Sequence, residues 1–219
     1  MVLLATACQS TAMKLAKADA LEIPRAIREA DRASWTRAAI ATGAIAASAA
    51  LDEPAKRLAA HGSDSFAKNV EPFGGHDADR VIYAFLLGGL LTRNDNARNT
   101  GIDALAASLL SSHIVTPILK QAIPRKRPNG GDESFPSNHA TQAFAVASVV
   151  AAHYDQWWVD ATAYGLAGAV GYARMHHNAH YLSDVVGGAV IGTAIGRLTV
   201  RTNMKILPMR RGVAVAIHF

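Results

Sequence analysis

Three short polar blocks of this sequence hold the residue types that do chemistry, and apolar segments separate them. The blocks are residues 120–128, 136–139 and 174–184. They gather cations, spaced histidines and a carboxylate, although 50% of the chain is hydrophobic. Such a concentration of ionisable groups in an apolar chain indicates a functional site.

The cations of the outer blocks indicate an anionic ligand with several oxygens. Lys120, Arg127 and Arg174 are cationic at neutral pH, and the guanidinium fork matches the geometry of a phosphate group. Ser137 and Asn138 precede an apolar helix, so a hydroxyl and backbone N–H groups can meet the same anion there. We predict these five residues to bind the substrate.

Two histidines and one aspartate supply the groups that a reaction at phosphorus requires. His180 and Asp184 are four residues apart, which places them on one face of a helix. Asp184 can accept the Nδ1 proton of His180, leaving Nε2 as a nucleophile. His139 can donate a proton to the leaving oxygen. The cations take over the charge neutralisation that a metal ion usually provides, so we expect no metal and no other cofactor.

The three blocks resemble the signature of the type 2 phosphatidic acid phosphatase (PAP2) superfamily, which includes bacterial class A acid phosphatases and vanadium haloperoxidases. That signature reads Lys-x6-Arg-Pro, then Pro-Ser-Gly-His, then Ser-Arg-x5-His-x3-Asp. This sequence departs from it at two positions, with Asn138 in place of Gly and Ala173 in place of Ser. The resemblance implies a metal-free phosphatase with His180 as nucleophile and His139 as acid, inhibited by vanadate in the phosphate pocket.

The remaining sequence predicts an all-α fold, an antiparallel bundle of about six helices with the active site at one end. The predicted helices are residues 35–51, 81–92, 102–119, 140–153, 157–172 and 185–200, whereas residues 52–79 are predicted to be polar and rich in turns. We divide the chain into a signal-like polar arm (1–34), a PAP2-type helical domain (35–203) and a tail (204–219). The tail alternates weakly, which predicts a short β-hairpin.

Charge and cysteine content limit the partners and the location. The net charge is +5, but no basic stripe interleaved with aromatic residues is present, so nucleic acid is not an expected partner. The residues before Cys8 resemble the end of a bacterial lipoprotein signal. We therefore expect a protein of the bacterial cell envelope, anchored through Cys8 or polytopic in the inner membrane, with its active site facing the periplasm. The oligomeric state is left open.

Several functions fit these residues. The favoured one is hydrolysis of a lipid phosphomonoester or pyrophosphate of the phosphatidate, prenyl pyrophosphate or lipid A type. The alternatives are a broad-specificity class A-like acid phosphatase, a vanadate-dependent haloperoxidase and a non-catalytic membrane bundle.

Three further residues, His176, Arg125 and Trp157, could belong to a site or have an ordinary structural role. A zinc site on His176 and His180 is disfavoured by the nearby cations and by the lack of an adjacent carboxylate. Arg125 is expected to be a solvated loop charge. Trp157 is expected to be either an interfacial anchor or a core residue.

Overall fold

Helices make up most of this computed structural model, which describes residues 31–202, 205–209 and 212–216. In chain order they are α1 (Arg32–Ala49), α2 (Asp52–Ala60), α3 (Asp64–Val70), α4 (His76–Thr92), α5 (Asp95–Leu109), α6 (Thr116–Ala122), α7 (Asn138–His153), α8 (Trp157–His176) and α9 (Leu182–Arg201). The chain divides into two units, residues 1–43 and 44–219. Cys8 and the polar arm lie outside the described residues apart from residues 31–34. The all-α prediction is confirmed.

The polar region after α1 was wrongly predicted to be mainly turns. It forms α2, α3 and a 3₁₀ turn over Glu71–Gly74. The hydroxyl of Ser63 caps α3 by accepting a hydrogen bond from the backbone N–H of Phe66. The ring of Phe66 lies 6.0 Å from that of Tyr172 on α8. These helices are too short to be stable alone, so packing of this kind stabilises them.

The pair α7 and α9 forms the centre of the second unit, and glycines allow their close approach. Gly188, Gly192 and Gly196 repeat every four residues and therefore share one face of α9. A Cβ atom at Gly188 would lie 2.9 Å from the carbonyl oxygen of Ser137, and one at Gly192 would overlap the carbonyl oxygen of Thr141. The contacts advance in the same direction along both helices, so α7 and α9 are parallel. Helix α8 lies between α7 and α9 in sequence and runs in the opposite direction. The N-terminal ends of α7 and α9 are therefore at the same end of the unit as the C-terminal end of α8.

The core is built from small and branched apolar side chains. Ile82 and Val149 are fully buried in a cluster that joins α4, α5, α7 and α9. A second cluster, which includes Ala143 and Val170, lies between α7 and α8. These two clusters hold the helices that carry the second and third polar blocks.

One continuous helical stretch is longer than the sequence predicted. The chain passes from α5 to α6 through a π-helical segment, Leu110–Val115. The resulting stretch, Asp95–Ala122, has 28 residues and contains an 18-residue window with a mean hydropathy of 1.5, so by length and composition it could cross a membrane. Asp103, which would be costly in lipid, forms a 2.8 Å contact with Nε2 of His153.

The backbone near the C-terminus forms the expected hairpin. Strand β1 (Lys205–Met209) pairs antiparallel with β2 (Gly212–Ala216), with Met209 opposite Gly212.

Candidate active site

The second and third polar blocks are joined by a backbone hydrogen bond. Ser137 is the N-cap of α7, and its fully buried hydroxyl accepts a 3.5 Å hydrogen bond from the backbone N–H of Ala140. The backbone N–H of Ser137 donates to the carbonyl oxygen of Asp184 at 3.1 Å. The N-terminal ends of α7 and α9 therefore lie side by side.

His180 and Asp184 face each other without the predicted hydrogen bond. Nδ1 of His180 lies 3.8 Å from Oδ2 of Asp184, which is longer than a hydrogen bond. Oδ2 instead accepts from the Ser134 hydroxyl at 2.5 Å and from the backbone N–H of Tyr181 at 2.8 Å. Nδ1 of His180 is buried and has no hydrogen-bond partner among the described residues.

The surroundings of His180 favour its neutral form. The residue is 4% exposed. Burial lowers the pKa of His180, and the positive charges of Arg127 and Arg174 act in the same direction, while Asp184 opposes them. The imidazole is therefore neutral at neutral pH and has one nitrogen lone pair available.

Asp184 remains ionised although it is fully buried. Burial by itself would raise its pKa, but the neighbouring His180, the hydrogen bonds from Ser134 and Tyr181 and the charge of Arg125 hold the pKa below its ordinary value. Asp184 thus supplies a fixed negative charge behind the imidazole.

Arg125 is not the solvated loop charge that the sequence suggested. Its Nη1 donates to Oδ1 of Asp184 at 2.6 Å and to the Ser183 hydroxyl at 2.7 Å, and its Nη2 donates to Oδ2 of Asp52 at 2.6 Å. The guanidinium also stacks on the ring of Tyr181, 4.5 Å from its centroid. Arg125 therefore links the first polar block to the third.

Asp52 is the second residue of this network that sequence reasoning missed. It is 7% exposed and accepts hydrogen bonds from the backbone N–H and the hydroxyl of Ser183, both at 2.9 Å. Nothing in the spacing of the polar blocks pointed to a residue at the start of α2.

The predicted cations of the first block bind backbone carbonyls of one loop. The ammonium of Lys120 donates to the carbonyl oxygen of Glu133. Nε of Arg127 donates to the carbonyl oxygen of Asp132 at 3.0 Å, and the backbone N–H of Arg127 donates to the carbonyl oxygen of Gly131 at 2.6 Å. Both side chains are partly exposed, so their remaining N–H groups are within reach of a ligand.

Arg174 pairs with a carboxylate that the sequence did not single out. Its Nη1 forms an ion pair with Oε1 of Glu71 in the 3₁₀ turn. Its Nε is buried and has no partner among the described residues. Burial lowers the pKa of Arg174 without removing its charge at neutral pH.

His139 and Asn138 line a cavity of about 730 Å³ whose wall is partly polar and partly apolar. Other residues of its wall are Glu71, Asp79, Tyr83, His113 and Gln142. The backbone approaches the imidazole closely, since a Cβ atom at Gly75 would lie 3.2 Å from Nε2 of His139. The predicted acid His139 and the predicted anion-binding residue Asn138 therefore line the same cavity.

A possible set of metal ligands lies outside these residues. Asp64, His176 and His177 each bring one ligand atom to within 4.8 Å of the others. The sequence disfavoured a zinc site on His176 and His180 partly because no carboxylate was adjacent, but Nε2 of His176 lies 3.7 Å from Oδ1 of Asp64.

Comparison with known proteins places the three blocks in a family. Residues 103–207 match the PAP2 superfamily. A lipid A 1-phosphatase from Porphyromonas gingivalis is 33% identical over 99 residues, which make up 44% of this chain and 22% of that protein. The chain therefore spans about a fifth of the length of this relative.

Two solved structures have a similar fold. The crystal structure of Aquifex aeolicus LpxE matches with a TM-score of 0.56 and 22% identity, over 69% of this chain and 95% of that one. A transmembrane PAP2 type phosphatidylglycerolphosphate phosphatase from Bacillus subtilis matches with a TM-score of 0.58 and 21% identity, over 75% and 90%. At these identities the likeness concerns the fold alone.

Helices α7, α8 and α9, which carry the second and third polar blocks, lie within the part of the chain that matches the PAP2 superfamily. Residues 103–207, which contain all three polar blocks, match the PAP2 superfamily. The family resemblance drawn from those blocks is confirmed.

Proposed function

We propose that this chain is a metal-independent phosphatase that hydrolyses a phosphomonoester or pyrophosphate of a membrane lipid. The observation that carries the proposal is the environment of His180, a buried neutral imidazole between the charges of Arg127, Arg174 and Asp184. The similarity to a lipid A 1-phosphatase supports a lipid substrate. The lipids we expect are of the phosphatidate, prenyl pyrophosphate or lipid A type.

The reaction proceeds in two displacements at phosphorus. Nε2 of His180 attacks the phosphorus atom, and the bond to the leaving oxygen breaks as His139 protonates that oxygen. Water then attacks the phosphohistidine and gives its proton to His139, so that the P–N bond breaks and inorganic phosphate leaves. Asp184 stabilises the positive charge that develops on the imidazole of His180.

The anion is held by the five predicted binding residues. Lys120, Arg127 and Arg174 neutralise the non-bridging oxygens, which carry the charge of the transition state. The backbone N–H groups of Asn138 and its neighbour at the start of α7 add donors and the helix dipole. Ser137 contributes as the N-cap, because its hydroxyl holds the N-terminal end of α7 in the orientation that directs these N–H groups towards the phosphate.

Arg125 and Asp52 act as positioning residues. They touch neither phosphate nor leaving group in this scheme, but they hold the carboxylate of Asp184 in place from one side. Asp184 in turn sets the orientation of His180 when the imidazole rotates to close the 3.8 Å gap. Ordered outer partners of this kind keep a reacting group within a narrow range of positions.

Exposed apolar side chains support attachment to a membrane. On α4, Leu87, Leu90 and Leu91 are 58%, 64% and 83% exposed. Trp157 is 80% exposed at the start of α8, so it is not a core residue. Tryptophan at such a position suits a membrane interface. We propose a location in the bacterial envelope with the site facing the periplasm, anchored through Cys8 or by spanning helices.

A lipid-phosphate panel in EDTA tests the proposal. Purified protein in detergent should release phosphate from at least one of phosphatidate, a prenyl pyrophosphate and lipid A, and vanadate should inhibit it. His180→Ala should abolish release, whereas His61→Ala, at an exposed histidine after α2, should not. Activity that EDTA removes would contradict the metal-free mechanism. Halide-dependent peroxide consumption with vanadate, without phosphate release, would indicate the haloperoxidase alternative.

A further inference from the structure

We propose that Asp64, His176 and His177 form a binding site for one divalent transition-metal ion, with Zn²⁺ as the best fit. Nε2 of His176 and Nε2 of His177 each lie 3.7 Å from the same oxygen, Oδ1 of Asp64. The two imidazole rings are adjacent, with centroids 5.4 Å apart. Three ligand atoms from two helices thus converge on one point.

The hydrogen bonds of both imidazoles leave Nε2 available to a metal. Nδ1 of His176 lies 2.8 Å from the carbonyl oxygen of Ala59, and Nδ1 of His177 lies 2.7 Å from Oε2 of Glu71. A carbonyl or carboxylate oxygen can only accept, so each Nδ1 carries a proton, and in the neutral imidazole Nε2 is then the nitrogen with the lone pair. Metal-binding histidines are oriented in this way by a carbonyl or carboxylate behind them.

The separations match a coordinated ion better than a hydrogen bond. At 3.7 Å the Nε2–Oδ1 pairs are too far apart for hydrogen bonding. Ligands about 2.0–2.2 Å from a tetrahedral zinc ion lie roughly 3.3–3.5 Å from each other. A movement of a few tenths of an ångström in the exposed side chain of Asp64 would complete the geometry.

The charge and exposure of the surrounding groups permit binding. Lys68 pairs with Asp64 at 2.6 Å, but through the other carboxylate oxygen, Oδ2, and its side chain is 68% exposed and free to move. Asp64 is 60% exposed, so an ion can enter from solvent, whereas His176 is 10% exposed and held in place. Two imidazoles and one carboxylate, with a fourth position open to water, are a ligand set typical of zinc rather than of magnesium.

The site is separate from the phosphate chemistry. It joins the start of α3 to the end of α8, and Glu71, which contacts both His177 and Arg174, links it to the active site. The proposed phosphatase reaction needs no metal. The two proposals therefore stand or fall independently.

Titration of the metal-free full chain with Co²⁺ and Zn²⁺ tests the site. The wild-type protein should bind one equivalent of Co²⁺ with the visible absorption of a tetrahedral complex, and Zn²⁺ should displace it and raise Tm. Asp64→Asn should lower the affinity at least tenfold and abolish the absorption band and the rise in Tm. Asp64 is exposed, so this variant should fold, which circular dichroism checks.

Asp95→Asn is the matched control, because Asp95 is also an exposed aspartate at the start of a helix, paired with Arg98 three residues on. It should bind Co²⁺ as the wild type does. Absence of stoichiometric binding would overturn the proposal. Equal affinity in Asp64→Asn and wild type would overturn it as well, because the ion would then be bound by other residues. Histidines that pair with Asp64 without binding a metal are the structural alternative that absence of binding would favour.

Discussion

Replacing Arg125 with alanine is the sharpest test of the network behind the nucleophile. The guanidinium makes three hydrogen bonds of 2.6–2.7 Å, two of them to the carboxylates of Asp52 and Asp184. Those carboxylates are 10% and 0% exposed. The substitution leaves two buried negative charges without the cation between them.

The size of the effect follows from burial. Removing one partner of a buried ion pair costs about 3–5 kcal/mol. Arg125 itself is 30% exposed, so solvent screens part of the interaction and we expect the lower end, about 3 kcal/mol. For a chain of this size that corresponds to a fall in Tm of about 6–12 °C. Because Asp184 would lose its fixed position, kcat should fall by about tenfold to a hundredfold.

Thermal unfolding and phosphate release as a function of pH measure the two effects. In the pH profile of kcat, the acidic limb should move to higher pH in Arg125→Ala, because loss of the guanidinium raises the pKa of Asp184. A merely structural role would leave that limb in place. Arg125→Lys should recover part of the activity, and Lys126→Ala, at the exposed neighbouring residue, should behave as wild type. A Tm and kcat of Arg125→Ala within error of wild type would refute the reasoning.

Three further predictions concern the general acid, the helix contact and acid stability. His139→Ala should retain phosphate binding, measured as vanadate affinity, while kcat falls by about 10²–10⁴-fold; weaker vanadate binding with normal turnover would contradict its role as acid. Gly192→Leu should abolish folding or lower Tm sharply, since its side chain would overlap the backbone of Thr141, whereas Gly165→Ala, where a Cβ has open space, should be tolerated. The folded pKa of His180 lies below 6.5, so its contribution to stability is present above pH 6.5 and is lost as pH falls through the folded pKa. Urea unfolding should show this loss in wild type and a smaller one in His180→Gln.

The sequence predicted the parts of the fold that depend on local pattern. The apolar runs at residues 140–153 and 185–200 became α7 and α9 with shifts of at most three residues, because long apolar segments bounded by polar caps favour helices whatever their partners. Helix α2 and helix α3 were missed because short polar segments take their stability from packing, which local sequence does not record.

The predicted site residues were those that belong to short motifs, and the missed ones are distant in sequence. Asp52 is 73 residues from Arg125 and 131 from Ser183. Asp64 lies in the region predicted to be turns, so the carboxylate beside His176 could not be anticipated. Only the packing of α2 and α3 against the end of α8 brings these groups together.

Trapping the covalent intermediate tests the central claim most directly. We would mix the full-length protein with a ³²P-labelled substrate from the lipid panel in EDTA, quench with alkali within the first turnover and map the label by peptide sequencing. The account predicts label on His180, stable in alkali and lost in acid as a phosphohistidine is, and no label in His180→Ala. Phosphate release by His180→Ala at the wild-type rate would contradict it.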